Sequence, residues 1–393
     1  MRSDGNMRMK RLLLSLLAVL ALLAGSGRAA AATKSSSTTV WVMGVDQIAP
    51  IRTASRTLGT AINLGFCEGS MAIGPNGDPW VLCGSSVLVI DSKTDTPTAT
   101  IADPEDPTAI VFAHGDAYVL NDAMPPSIYE IDAATRKVIH EIPFTQNSES
   151  PWVRLTYSPS LKMIYVQGGV SGTTGFDGLL LPFDPVTNKF EKALDVPGMW
   201  NAQMVMAPDG RTAAFFRGVF DAGSVTTVDL KTNSVRVSPD LGLPQDVAFS
   251  SNGKALYLAF YSEGDNENGF LEELSLRSSK VEHRWTIRQE PGQLYVNRFA
   301  VFVLSFGPTI NSGGANNEAF TVISAATHKV LLVKEMGPAP NIGTAAGGVV
   351  FDPSGGLGWL ISRSTTVTPF EIRTGKLLAP VKIPYAPSAL AVG

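Results

Sequence analysis

Short apolar runs recur along most of the chain, broken by turn-forming pairs and not by the spacing of amphipathic helices. Met71-Ala72-Ile73 leads through Pro75-Asn76-Gly77 into Trp80-Val81-Leu82, and Met204-Val205-Met206 leads through Pro208-Asp209-Gly210 into Ala213-Ala214-Phe215. The same figure returns at Val247-Ala248-Phe249 with Asn252-Gly253, and at Val349-Val350-Phe351 with Ser354-Gly355. Asn-Gly and Asp-Gly between apolar runs predict β-hairpins, because the turn needs positive φ. Each unit then carries a third strand that ends in Asp, Ser or Glu, with Thr or Ser three residues later. The pairs are Asp91/Thr94, Asp132/Thr135, Asp184/Thr187, Asp229/Thr232, Ser275/Ser278, Ser324/Thr327 and Glu371/Thr374, spaced 41, 52, 45, 46, 49 and 47 residues apart. A short acceptor at the head of a turn bonds the N–H two or three residues on, which predicts a hairpin into a fourth strand. Such strands follow at Lys137-Val138-Ile139 and Lys329-Val330-Leu331. Four short strands every ~40–50 residues is the pattern of propeller blades; a β-sandwich would not repeat so evenly.

Seven complete units run from about residue 67 to 384, leaving Pro387–Val392 as a lone first strand. Residues 38–66 hold Val40-Trp41-Val42-Met43, a segment through Ser55, and Thr60–Leu64, enough for the other three strands of an eighth blade. The expectation is an all-β chain whose residues 33–393 form one propeller of four-stranded blades. Eight blades are expected, or seven if the N-terminal segment is irregular. Pairing the C-terminal strand with the N-terminal ones would close the ring and remove its exposed edges.

Residues 1–32 read differently. A basic start (Arg8, Lys10, Arg11), thirteen small or apolar residues from Leu12 to Ala24 and the run Ala29–Ala32 describe a cleavable secretory signal. The apolar run is short of the about 20 residues that span a bilayer. Cleavage is expected after Ala31 or Ala32, giving a periplasmic or secreted protein with no membrane span; an uncut anchor is the alternative. The two cysteines agree with export. Folding the hairpin at Asn76-Gly77 brings Cys67 roughly opposite Cys83, where an oxidising compartment would close a disulfide. Two buried free thiols are the alternative.

Beyond residue 32 the chain has 26 basic and 34 acidic residues, so it lacks the basic footprint of a nucleic-acid binder. Its four histidines divide. His114 and His328 fall on the tight-turn face, while His140 and His283 lie in outermost strands. That sorting predicts that they do not converge, so neither a His-based metal site nor a Ser-His-Asp catalytic set is expected. No His-Glu-x-x-His, Gly-x-Ser-x-Gly or phosphate-binding Gly motif occurs. No catalytic residue, metal or cofactor is therefore assigned.

Up-and-down topology places first-to-second and third-to-fourth turns on one face and the longer loops on the other, where binding usually resides. The long-loop face is expected to carry Asp122, Asp177, Asp221, Glu263, Asp265 and Glu267, with Trp152 and Trp200 beside loop prolines at the mouths of first strands. The carboxylates predict a negative mouth that favours cationic or hydroxyl-rich ligands. The tryptophans form either an aromatic ledge for a ligand or partner, or packing between blades.

Ala117-Tyr118-Val119-Leu120-Asn121 and Val87-Leu88-Val89-Ile90-Asp91-Ser92-Lys93-Thr94 resemble the repeats of YVTN-type propellers, the superfamily that includes quinoprotein amine dehydrogenase heavy chains. No Trp-Asp dipeptide of the WD40 kind occurs. The resemblance implies the propeller fold and little about activity. The function expected is an exported, non-enzymatic binding or scaffold propeller of the bacterial cell envelope, with an unknown protein or small-molecule partner on the long-loop face. The alternative is an enzyme or enzyme subunit, such as a lactonase or a heavy chain of the amine dehydrogenase kind.

Overall fold

Eight antiparallel sheets make up the chain, seven of them built from strands that run in sequence from the inside of the ring outward. A computed structural model describes residues 38–393 except 66, 68–69, 124, 145–151, 172–176, 198–201, 217–224, 239–240, 242–243, 262–267, 307–316, 339–347 and 363–364. The proposed signal, residues 1–32, lies outside the described residues. Blade 2 shows the plan: Met71–Ile73, Pro79–Cys83, Ser86–Asp91 and Thr96–Ile101 pair in order. Blades 3 to 8 begin at Pro107–Ala113, Trp152–Ser158, Gln203–Met206, Pro244–Phe249, Glu290–Val296 and Val349–Phe351. No described residue is helical.

The eighth sheet closes the ring. Ala389–Val392 is the innermost strand of blade 1 and pairs antiparallel with Thr39–Met43, Val40 opposite Val392 and Met43 opposite Ala389. Gln47–Arg52 follows, and the outermost position is split: Thr57–Leu58 and Ile62–Asn63 both pair with Gln47–Arg52. The fourth strand therefore starts earlier than Thr60–Leu64 and is broken into two pieces.

Alternating side chains of each sheet pack against the neighbouring blades, so the core lies between sheets. Trp80, Leu82, Val87 and Val89 of blade 2 meet Ile110, Ala117, Val119 and Ile131 of blade 3. Trp359, Ile361 and Val367 of blade 8 meet Val40, Val42 and Ile51 of blade 1. Each such side chain, fully buried, contributes about 1.5–3 kcal/mol.

The acidic markers do what their chemistry predicts. Asp91 Oδ1 accepts the N–H groups of Lys93 and Thr94 (2.8 and 2.9 Å), and Asp132 Oδ1 those of Ala134 and Thr135 (2.9 and 2.7 Å). The Thr94 and then the Lys93 N–H hold the Asp91 carboxyl below its ordinary range. In all eight blades the residue four positions after the end of the third strand has positive φ: Arg56, Asp95, Arg136, Asn188, Asn233, Ser279, His328 and Gly375. A turn ending in a left-handed residue matches the twist of a three-residue hairpin. Blade 1 carries Arg52 where the others carry Asp, Ser or Glu, which hides its repeat.

In five blades that left-handed residue reaches the preceding blade. Asp95 binds Arg52 of blade 1 through Nη2 at 2.6 and 2.7 Å, and Arg136 meets Asp78 of blade 2 at 3.3 Å. Asn188 donates to Glu130 of blade 3 at 2.8 Å. His328 approaches Glu273 of blade 6. At Gly375 a Cβ would fall 2.5 Å from Val322 of blade 7, so the position has room only for glycine.

Cys67 and Cys83 are bonded (S–S 2.01 Å, Cα–Cα 4.2 Å). They are not partners within the hairpin, as folding at Asn76-Gly77 implied. Cys67 precedes the first strand of blade 2 and donates its N–H to Val45 O (2.9 Å) in blade 1. The disulfide ties the crossover between blades 1 and 2 to the second strand of blade 2.

Candidate functional site at the mouth of the central channel

Innermost strands present one edge to the central channel. Following the ladders inward from each third-strand end finds one residue per blade at a common level: Ala389, Ser70, Ala109, Arg154, Gln203, Asp246, Gln293 and Gly348, from blade 1 to blade 8. This level lies toward the long-loop end of the strands. Blades 4 to 7 fill it with long polar side chains; blades 8, 1, 2 and 3 offer Gly, Ala, Ser and Ala. The ring is lopsided, with long polar side chains on one wall and small residues on the other.

Asp246 anchors the polar wall. Its Oδ1 accepts the Val247 N–H (2.8 Å), and its Oδ2 reaches blade 7 to accept the Leu294 N–H (2.7 Å), a backbone donor on the open inner edge. Burial pushes its carboxyl up to about 7, against those two N–H groups and the charge of Arg154 across blade 5. Burial likewise lowers the Arg154 guanidinium from its ordinary value, and Asp246 opposes that shift. On the far side of Asp246, Tyr295 Oη donates to Gln293 Oε1 (3.0 Å). A Cβ at Gly348 would sit 2.8 Å from that Oε1, so the glycine of blade 8 makes room for the pair. Burial first, and then the Asp246 charge, push the Tyr295 phenol upward. A cation, a carboxyl that titrates near neutrality and a bank of amide groups can hold a ligand that both donates and accepts hydrogen bonds.

The residues expected from sequence relate to this mouth unevenly. Trp152 opens the innermost strand of blade 4, two residues before Arg154, and Asp177 opens that blade's third strand; their side chains lie outside the described residues. Trp200, Asp221, Asp265, Glu263 and Glu267 lie outside them altogether. Asp122 stands at the long-loop end of blade 3, its N–H donated to Asp106 O (3.0 Å). Asp246 and Arg154 went unnoticed in the sequence, although a charge inside an otherwise apolar strand (Gln245-Asp246-Val247, Val153-Arg154-Leu155) was a readable signal.

The histidine sorting needs correction. His283 and His328 lie against each other, ring centroids 3.8 Å apart and planes tilted by 47°. The third-to-fourth turn of blade 7 overhangs the outermost strand of blade 6, so a residue of the turn face can meet one of the rim. His140 lies 2.6 Å from Glu130, and His114 packs edge-on against Tyr157 at 6.2 Å. Elsewhere, a groove of about 900 Å³ between blades 5 and 6 mixes Asp229, Arg236, Lys254, Arg277 and Glu282. Its alternating charges select no ligand class.

Comparison with protein-family models finds no match, and neither does comparison with curated proteins. Solved structures share the fold at low identity. Dihydro-heme d1 dehydrogenase NirN in complex with DHE is 14% identical, with a TM-score of 0.66 over 90% of this chain and 75% of that one. Apo AztD from Citrobacter koseri is 10% identical, with a TM-score of 0.60 over 91% and 97%. A eukaryotic initiation factor is 9% identical, with a TM-score of 0.56 over 90% and 98%. Likeness at this level establishes the propeller: the chain is an eight-bladed, all-β ring.

Proposed function

We propose that this chain is an exported, non-enzymatic binding propeller of the bacterial cell envelope, which holds a hydroxyl-rich or cationic small molecule, or a partner segment of that chemistry, at the long-loop mouth of its channel. The lopsided ring carries the reading. Arg154, Gln203, Asp246 and Gln293 line one wall, while Ala389, Ser70 and Ala109 face them with small side chains, so a ligand meets hydrogen-bonding groups on one side and little side-chain bulk on the other. Sequence order leads us to expect the acidic loops, Trp152 and Trp200 on the same face, and the signal-like residues 1–32 support export. The resemblance to YVTN-type repeats fits a scaffold of this kind.

One observation favours the second reading, an enzyme or enzyme subunit. A carboxyl that titrates near 7 beside a cation and a tyrosine is suited to general acid–base work. NirN, a dehydrogenase, shares the fold, which raises that reading by analogy only.

A thermal-shift screen of sugars, polyols and amines separates the two. A ligand found this way should lose about 2 kcal/mol or more on Arg154→Ala or Trp200→Ala, and far less on substitutions in the Asn76 and Asp209 turns. The opposite pattern would place binding on the other face. Turnover of the bound compound that Asp246→Asn abolishes, with affinity kept, would establish the enzyme reading.

A further inference from the structure

Blades 3 and 6 carry the same ladder of side chains on the face toward the next blade. Tyr118, Glu130 and His140 stand opposite one another on adjacent strands of blade 3, as do Tyr257, Glu273 and His283 in blade 6. Each ladder is met by the left-handed turn residue of the following blade, Asn188 in one case and His328 in the other. The two sites are equivalent in position and differ in how the carboxylate is satisfied.

Glu130 is saturated. Tyr118 Oη donates to its Oε1 (2.8 Å), while Asn188 Nδ2 donates to Oε2 (2.8 Å) and His140 Nδ1 lies 2.6 Å from Oε2. Glu273 is as deeply buried, at 8% exposure against 6%, yet its Oε2 has no hydrogen-bond partner. His328 Nε2 stands 3.6 Å away, too far for a hydrogen bond. One ligand atom from each of Glu273, His283 and His328 lies within 4.8 Å of the others. Ligands about 2.0–2.2 Å from a tetrahedral ion stand about 3.3–3.6 Å apart, so the Glu273–His328 separation already suits one. An open carboxylate oxygen beside two imidazoles is the donor set of a zinc-class divalent ion. Trp285 supplies outer support, its Nε1 donating to the His328 carbonyl (2.9 Å).

From this geometry we propose that Glu273, His283 and His328 bind one zinc-class divalent cation at the rim between blades 6 and 7, with a solvent-facing fourth position. The site is independent of the channel mouth. The ion supplies the partner that Glu273 lacks and joins the two blades, whereas the Glu130 site, already saturated, stays free of metal.

The test uses untagged protein stripped with EDTA. Calorimetric titration with Zn²⁺ should show one ion per chain, and Co²⁺ should give visible d–d absorption while quenching Trp285, whose ring lies 5.7 and 6.2 Å from the two imidazoles. His328→Asn converts the site into its blade 3 equivalent at a positive φ that Asn accepts. It should lower Zn²⁺ affinity by more than the about 100-fold that loss of an outer-shell partner costs, with an unchanged metal-free melting temperature. If that variant fails to fold, His283→Gln takes its place with the same expectation. Absence of stoichiometric Zn²⁺ binding, or equal binding by wild type and variant, would overturn the proposal.

Discussion

Removing the disulfide gives a number that can be worked through. The bond closes a loop of 16 residues, and the chain-entropy relation assigns such a closure about 3 kcal/mol at 25 °C, by limiting what the unfolded chain can do. A ring of roughly 360 residues carries an unfolding entropy of about 0.75 kcal/mol/K near its melting point, so 3 kcal/mol corresponds to about 4 °C. Packing adds to this, because Cys67 is fully buried against Trp41, Met43 and Ile48 of blade 1 and Val81 and Ile90 of blade 2. Cys67→Ala/Cys83→Ala should therefore melt at least about 4 °C below wild type in calorimetry, and reductant should lower the wild type without affecting the variant. Alkylation of the denatured, unreduced wild type that labels two thiols would refute the bond. Melting of the double variant within about 1 °C of wild type would refute the entropy argument.

The carboxyl of Asp246 titrates near 7 when folded and near 3.8 when free, so the folded state binds its proton more tightly. Its contribution favours folding least above pH 7, and stability should fall as pH rises between about 4 and 7; Asp246→Asn should flatten that slope in urea titrations across the range. Ending the chain at Pro387 removes the strand Ala389–Val392 and opens the edge of Thr39–Met43, where Val40, Trp41 and Val42 are fully buried. Size-exclusion chromatography should then show aggregation in place of a single species, and an unaltered monomer would argue that the ring does not depend on this closure.

The repeat was legible because its signals are local. Asn76-Gly77, Asp209-Gly210 and the Asp91/Thr94 class of turn need only a few adjacent residues, and they placed seven blades. Blade 1 was harder, since its innermost strand comes from the other end of the chain and Arg52 replaces the acidic marker. The channel wall was harder still: seeing that Arg154, Asp246 and Gln293 share a level requires registers carried through three strands. His283 and His328 are 45 residues apart. Sorting residues by face kept them separate, because connectivity says nothing of how far one blade's turn leans over its neighbour's rim. Sequence placed both Trp152 and Trp200 at strand mouths; Trp152 does open the innermost strand of blade 4, and Trp200 lies outside the described residues.

The left-handed turn residues also bear on how such a ring assembles correctly. Eight similar sheets on one chain give each blade several near-equivalent wrong neighbours, and repeat proteins characteristically misassemble in this way. Yet no two of the described contacts match: Arg52 with Asp95, Asp78 with Arg136, Glu130 with Asn188, Glu273 with His328, Val322 under Gly375. Docking blade 3 in the place of blade 2 would set Arg136 against Arg52, guanidinium on guanidinium. The Arg52 junction thus discriminates by repulsion as well as attraction. At these five junctions one turn residue works as an address, read only when the correct neighbour arrives.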